Sequence, residues 1–207
     1  MSTLLLIDLQ NDFMPGGPLG VAEGDLVVPV ANRAMDLVSH IVATQDWHPP
    51  DHGSFASQHP NVELGQVFEL EGLSQIAWPE HCIQGTAGAA FDDRLRSDRI
   101  AHVVKKGMAR EIDSYSGFFD NGQKRATGLD EYLKSIDSQE LIVMGLATEY
   151  CVRFTVLDAL RLGYRTTVVL EGCRGVNLTP ADVDRAIEEM RQAGAFIVDS
   201  LTQIHEG

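Results

Sequence analysis

The chain has 207 residues, 44% of them hydrophobic and 22% charged, which suits one soluble domain, residues 1–207, with a sizeable core. Its formal net charge of −14 argues against nucleic acid or an anionic membrane surface as partner. Three cysteines, Cys82, Cys151 and Cys173, without a C-x-x-C pair point away from a disulfide framework and toward reduced thiols, as in the cytoplasm. No run approaches the roughly 18 apolar residues of a membrane span, and the apolar start, Met1–Ile7, is too short for a signal peptide.

Leu4–Ile7 reads as a buried strand with Asp8 directly after it, and 11–18 as a loop set by Gly and Pro. Apolar spacing predicts a helix over about 27–39, and Ile41–Thr44 is a second buried strand. Asp46 and His48 follow it; two residues apart in an extended segment, they share a side and form half of a metal site. From 46 to about 88 there is little periodicity. A segment of that length in a compact domain is functional or disordered, and Phe55, Phe68, Leu70, Leu73, Ile76 and Trp78 favour an ordered cover over a site. His81, within Trp78-Pro79-Glu80-His81-Cys82, is the natural third ligand, with His52 or Ser54 as a fourth.

Residues 91–96 read as a short helix and 100–104 as the third strand, followed by Lys105-Lys106-Gly107. One of the two lysines is expected to point inward. Residues 113–122 form an aromatic loop suited to lining a pocket, and 128–136 a short helix. The fourth strand, Leu141–Met144, leads through a small-residue turn, 145–151, into an amphipathic helix over 152–162. Cys151 therefore sits near a helix N-terminus, where free N–H groups and the dipole favour a thiolate and can cradle an oxyanion; taken alone it reads as a small buried hydrophobe. Residues 165–170 are the fifth strand, Thr179 and Pro180 open the last helix as N-cap and first residue, and 195–198 are the sixth strand.

Strands alternating with helices imply an α/β fold: a doubly wound, six-stranded, mainly parallel sheet with helices on both faces. In such sheets the site lies beyond the carboxyl ends of the strands. Asp8, the Asp46/His48 pair, the lysine pair and Cys151 each follow a strand, so four strands deliver reactive groups to one edge.

The segments 7–13 (IDLQNDF), 44–48 (TQDWH), 78–82 (WPEHC), Lys106-Gly107, 113–118 (DSYSGF) and 145–152 (GLATEYCV) resemble the isochorismatase-like cysteine hydrolases, and within them the nicotinamidases, also called pyrazinamidases. The resemblance spans essentially the whole chain. It implies a catalytic triad of Asp8, Lys106 and Cys151, with Lys106 preferred to Lys105 because it precedes a glycine. It also implies a cis peptide between Leu146 and Ala147, an oxyanion hole of the Ala147 and Cys151 N–H groups, and substrate-facing Phe13, Trp78 and Tyr115. A divalent metal ion, zinc ahead of iron or manganese, is implied on Asp46, His48 and His81. The implied reaction converts nicotinamide to nicotinate and ammonia through a thioester, for NAD salvage, with pyrazinamide as a second substrate and a homo-oligomer by analogy. Competing readings are a hydrolase of the same fold acting on another amide or a vinyl ether, a metallohydrolase using metal-bound hydroxide, and a pyridine-binding protein without activity. The D-x-H and W-P-x-H-C segments favour the nicotinamidase reading.

Overall fold

The computed structural model describes residues 1–204. Eight strands and four α-helices follow in the order β1 (Ser2–Ile7), α1 (Val27–Ala34), β2 (Ile41–Asp46), β3 (Val67–Leu70), β4 (Leu73–Ile76), β5 (His102–Lys106), α2 (Leu129–Ser135), β6 (Glu140–Leu146), α3 (Arg153–Arg161), β7 (Arg165–Arg174), α4 (Asp182–Gln192) and β8 (Phe196–Val198). Six of the strands form one sheet in the order β5-β2-β1-β6-β7-β8. Every pairing in it is parallel, so the sheet is wholly rather than mainly parallel. Leu4, Leu5, Leu6 and Ile7 of the central β1 are fully buried, as a strand covered on both faces requires.

The chain leaves β1 toward β2 and β5, then crosses back to β6 and continues outward to β7 and β8. Right-handed crossovers in those two directions place α1 on one face and α2, α3 and α4 on the other. The order reverses between β1 and β6, which opens a crevice at their carboxyl ends. Backbones approach closely there: a Cβ on Gly145, whose φ is +140°, would stand 2.2 Å from the Ile7 carbonyl oxygen.

Several boundaries differ from the sequence expectation. Residues 91–96 are not helical: Phe91 bridges Gln10, and the Asp92 carboxylate accepts the Arg94 N–H at 2.9 Å, a local bond that competes with a helical turn. The last helix does not start at Thr179-Pro180. The backbone turns over at Ala181, with φ 66°, and helix begins at Asp182, whose carboxylate accepts the Thr179 N–H. Helix α1 ends at Ala34 instead of continuing to 39, tightening into shorter-range bonds from Asp36 to Arg33 and Leu37 to Ala34. The aperiodic 46–88 segment contains an antiparallel hairpin, β3–β4. Its two-residue loop, Glu71-Gly72, has φ of +50° and +80°, the pairing that a tight twisted hairpin demands.

Candidate active site and metal centre

Strand ends bring the expected residues together at the crevice. Asp8 follows β1 directly; Asp46 ends β2, Lys106 ends β5, and the two are cross-strand partners in register. Cys151 lies in a single π-helical turn, Thr148–Val152, between β6 and α3. The peptide between Leu146 and Ala147 is cis. The resulting cluster is dry: Asp8, Asp46, Lys106 and Cys151 are each no more than 6% exposed.

Lys106 is the hub. Its ammonium lies 2.9 Å from Asp8 Oδ2 and 2.5 Å from Asp46 Oδ1. It also donates to the Ser114 carbonyl at 2.9 Å and toward Cys151 Sγ at 3.4 Å. Burial alone would discharge it, but Asp46 and Asp8 outweigh burial and hold it charged. Lys105, on the opposite side of the strand, is exposed and lies over the Trp47 ring at 3.6 Å. Only one of the two lysines thus faces the cluster, as strand alternation requires.

Asp8 carries a carboxyl pushed up to about 6 by burial, against the pull of Lys106 and with a further push from Asp46. Thr44 Oγ1 donates to Asp8 Oδ1 at 2.6 Å and accepts the Asp8 backbone N–H at 3.2 Å. Burial also pushes the Cys151 thiol well above its ordinary range; Lys106 pulls the other way without prevailing. Burial thus opposes the thiolate that the helix start and Lys106 favour, beside an ionisable base in Asp8. Asp8, Asp46 and Cys151 each offer an atom within 4.8 Å of the others.

Asp46 joins this cluster to a second one. Its Oδ2 faces His48 Nε2 at 3.6 Å and His81 Nε2 at 3.9 Å. Burial would raise the Asp46 carboxyl, but Lys106 and His48 hold it far below the usual carboxylate range. His48 Nδ1 donates to the Gly107 carbonyl and His81 Nδ1 to the Pro79 carbonyl, both at 2.8 Å. Those bonds fix the tautomers that leave each Nε2 lone pair free toward Asp46. Burial, with the neighbouring His48, pushes His81 down to about 4, whereas Asp46 outweighs burial at His48 and raises it. His48 Nε2 is fully buried without a hydrogen-bond partner. One carboxylate oxygen and two imidazole nitrogens, converging with an orphaned buried nitrogen among them, fit a divalent cation. Gly107 matters here twice: its φ is +64°, and a Cβ on it would stand 2.4 Å from His48 Cε1.

His52 and Ser54, the candidate fourth ligands, are both buried behind this trio. Ser54 Oγ lies 2.7 Å from His52 Nδ1, and His52 Nε2 lies 3.3 Å from the Ile112 carbonyl. Both His52 nitrogens are therefore engaged, while its ring lies tilted 4.3 Å from that of His48.

Cys151, Ala147, Asp46 and His81 open onto one cavity of about 370 Å³, walled by Phe13, Trp78 and Tyr115 as expected. Leu19, Tyr150 and Val176 also line it and were not singled out from sequence. Trp78 Nε1 donates to the Tyr115 hydroxyl at 2.9 Å, and Gln75 on β4 donates to the same oxygen and to Asp113 at 3.1 Å each. Gln10 was also missed. Its side chain accepts the Asp46 N–H at 2.8 Å and donates to the Asp46 carbonyl at 2.8 Å. Two residues on, Asp12 accepts the Cys82 N–H at 2.7 Å, next to His81. The loop after β1 thus clamps both segments that carry the metal-type ligands.

The family model for the isochorismatase domain matches residues 2–201. A nicotinamidase of Escherichia coli is 54% identical over 198 residues, spanning 94% of this chain and 92% of the relative. The solved structure of a nicotinamidase/pyrazinamidase from Acinetobacter baumanii superposes with a TM-score of 0.94 at 38% identity, covering 98% of each chain. A pyrazinamidase of Pyrococcus horikoshii in complex with zinc superposes with a TM-score of 0.78 at 36% identity, covering 95% of this chain and 98% of that one. The chain therefore belongs to the isochorismatase family, in its nicotinamidase/pyrazinamidase branch.

Proposed function

We propose that this amide hydrolase converts nicotinamide to nicotinate and ammonia, with Asp8, Lys106 and Cys151 as its catalytic residues, and that it accepts pyrazinamide in the same pose. The observation that carries this reading is the sharing of Asp46 between Lys106 and the two imidazoles, which ties a buried cysteine cluster to a cation-type donor set within one aromatic-walled cavity. A flat azine amide suits such a slot, with few polar anchors to orient it. Asp46, His48 and His81 would hold one divalent ion, zinc ahead of iron or manganese. Bound there, it supplies a Lewis-acid position for the ring nitrogen of the substrate.

Asp8 takes the Cys151 proton as Sγ attacks the carboxamide carbon, so the thiolate forms only in the step that uses it. Lys106 remains charged throughout and offsets the negative charge moving between Asp8 and Sγ. The Ala147 and Cys151 N–H groups receive the oxyanion; one such donor is worth about 3 kcal/mol in other enzymes. Asp8 passes its proton to the departing nitrogen, ammonia leaves, and a nicotinoyl thioester remains on Sγ. A water, giving its proton to Asp8, attacks that thioester; nicotinate leaves and the proton returns to the thiol. The acid would re-enter NAD synthesis. All three cysteines are free, which supports a reducing compartment, and no helix among the described residues is long and apolar enough to cross a membrane.

The test is ammonia release from nicotinamide, with metal content measured on the same reduced sample. About one equivalent of divalent metal and steady release are expected. Cys151→Ala should abolish release while still binding nicotinamide. Intact turnover in that variant would exclude the thioester route in favour of a metal-bound nucleophile.

A further inference from the structure

We infer that the ring of Tyr150 is a partition that limits the size of the amide admitted, and that the groove beyond it is a subsite for an uncharged extension of a larger aryl amide. This rests on the amide-hydrolase reading of the site. Tyr150 lines the 370 Å³ catalytic cavity on one side and an open groove of about 1040 Å³ on the other. Among the described residues no other side chain borders both.

Two other aromatic walls of the cavity are anchored more firmly. Trp78 and Tyr115 are tied to each other by a hydrogen bond, and Gln75 adds a second to Tyr115. Tyr150 instead rests on ring packing, edge-on to Trp78 at 5.1 Å between centroids and tilted against Tyr115 at 5.6 Å. It is half-buried. Its backbone N–H bonds the Ala147 carbonyl at 3.1 Å, a contact that side-chain truncation leaves in place.

The groove's chemistry sets the class of ligand. Leu64, Val67, Ile76 and Leu178 supply its apolar part, with Leu64 65% and Val67 62% exposed, beside a polar side of Glu149, Arg153, Thr179, Asp182, Arg185 and Glu189. Both of its arginines are matched, Arg153 with Glu189 and Arg185 with Asp182, while Glu149 keeps one buried carboxylate oxygen without a hydrogen-bond partner. No unpaired arginine is left there for a carboxylate or phosphate, so a neutral aryl or alkyl extension fits and an anionic one does not.

The experiment compares wild type, Tyr150→Phe, Tyr150→Ala and Tyr150→Leu, the last keeping packing if the alanine variant fails to fold. The first readout is kcat/KM for nicotinamide and for two extended amides, 5-phenylnicotinamide and quinoline-3-carboxamide. The second is alkylation of Cys151, located by mass spectrometry, with iodoacetamide and with its N-benzyl derivative. Truncation should raise the bulky-to-small ratio at least tenfold in both readouts, and Tyr150→Phe, which keeps the ring, should leave both unchanged. Unchanged ratios in the folded Ala and Leu variants overturn the proposal. A shifted alkylation ratio without turnover of either extended amide refutes the subsite and leaves the partition standing. A shifted alkylation ratio in a protein that never hydrolyses nicotinamide refutes the substrate reading instead.

Discussion

Thr44→Val replaces a hydroxyl that serves Asp8 twice, donating to its Oδ1 at 2.6 Å and accepting its N–H at 3.2 Å. Both residues are fully buried, so no water replaces the lost partner. A hydrogen bond to a charged group is worth about 1.5–3 kcal/mol against about 1 kcal/mol for a neutral one. The ionised form of Asp8 therefore loses about 1–2 kcal/mol more than the protonated form, which moves its titration up by about one pH unit. The wild-type carboxyl already sits at about 6 because of burial, so the variant should titrate near neutrality, at roughly 7. The assay is the pH profile of kcat/KM for nicotinamide, followed by ammonia release. Its acidic limb should shift up by about one unit, and Thr44→Ser should restore it. Stability moves with the same sign. A carboxyl raised in the folded state favours folding most at low pH and loses that contribution as pH rises through its folded pKa. The Tm deficit of Thr44→Val should therefore grow between about pH 6 and 7. An unchanged acidic limb in a folded variant with normal metal content would remove Asp8 from the role of base.

In wild type, kcat/KM should rise with unit slope through about pH 6 as Asp8 ionises; a limb set near 4 would mean that burial does not govern this carboxyl. Lys106→Met leaves Asp8 and Asp46 as two buried carboxylates without their counter-ion, and should cost about 3–5 kcal/mol in denaturant unfolding as well as activity. Gly107→Ala puts a Cβ within 2.4 Å of His48; metal content should fall several-fold and nicotinamide affinity with it, and full metal occupancy would show that His48 is not a ligand. Gln10→Ala frees the Asp46 backbone on both its N–H and C=O sides, and should lower metal affinity about tenfold or more, read by titration with a chelating dye.

The strand ends were legible because buried parallel strands are continuous apolar runs, and the residue after each run is where such sheets place chemistry. That logic reached Asp8, Asp46, Cys151 and the lysine pair, along with the sheet itself, and the resemblance chose Lys106 within the pair. It did not reach Gln10, Thr44 or Gln75. Their partners lie about 36 to 40 positions away in the chain, and a side chain bonded to a distant partner leaves no periodic trace. The β3–β4 hairpin escaped for a related reason. Its strands are four residues long and mostly half-buried or exposed, so neither a buried run nor a clean alternation marks them. At Cys151 the turn was legible but the burial was not. Helix position was legible, whereas complete burial is a property of everything packed around it.

Asp46, which faces an ammonium with one oxygen and two imidazoles with the other, has a consequence for how such an enzyme can be redesigned. The thiol chemistry and the cation-type donors are not separable modules, since a single carboxylate belongs to both. An attempt to strip the metal site from this scaffold, or to graft a different one, would also unbalance the charge on Lys106. By contrast, the 62–74 stretch, between the segments that hold His48 and His81, carries the groove-lining Leu64 and Val67 and supplies no strand to the main sheet. Diversification by segment exchange should therefore be tolerated there and resisted at the carboxyl end of β2.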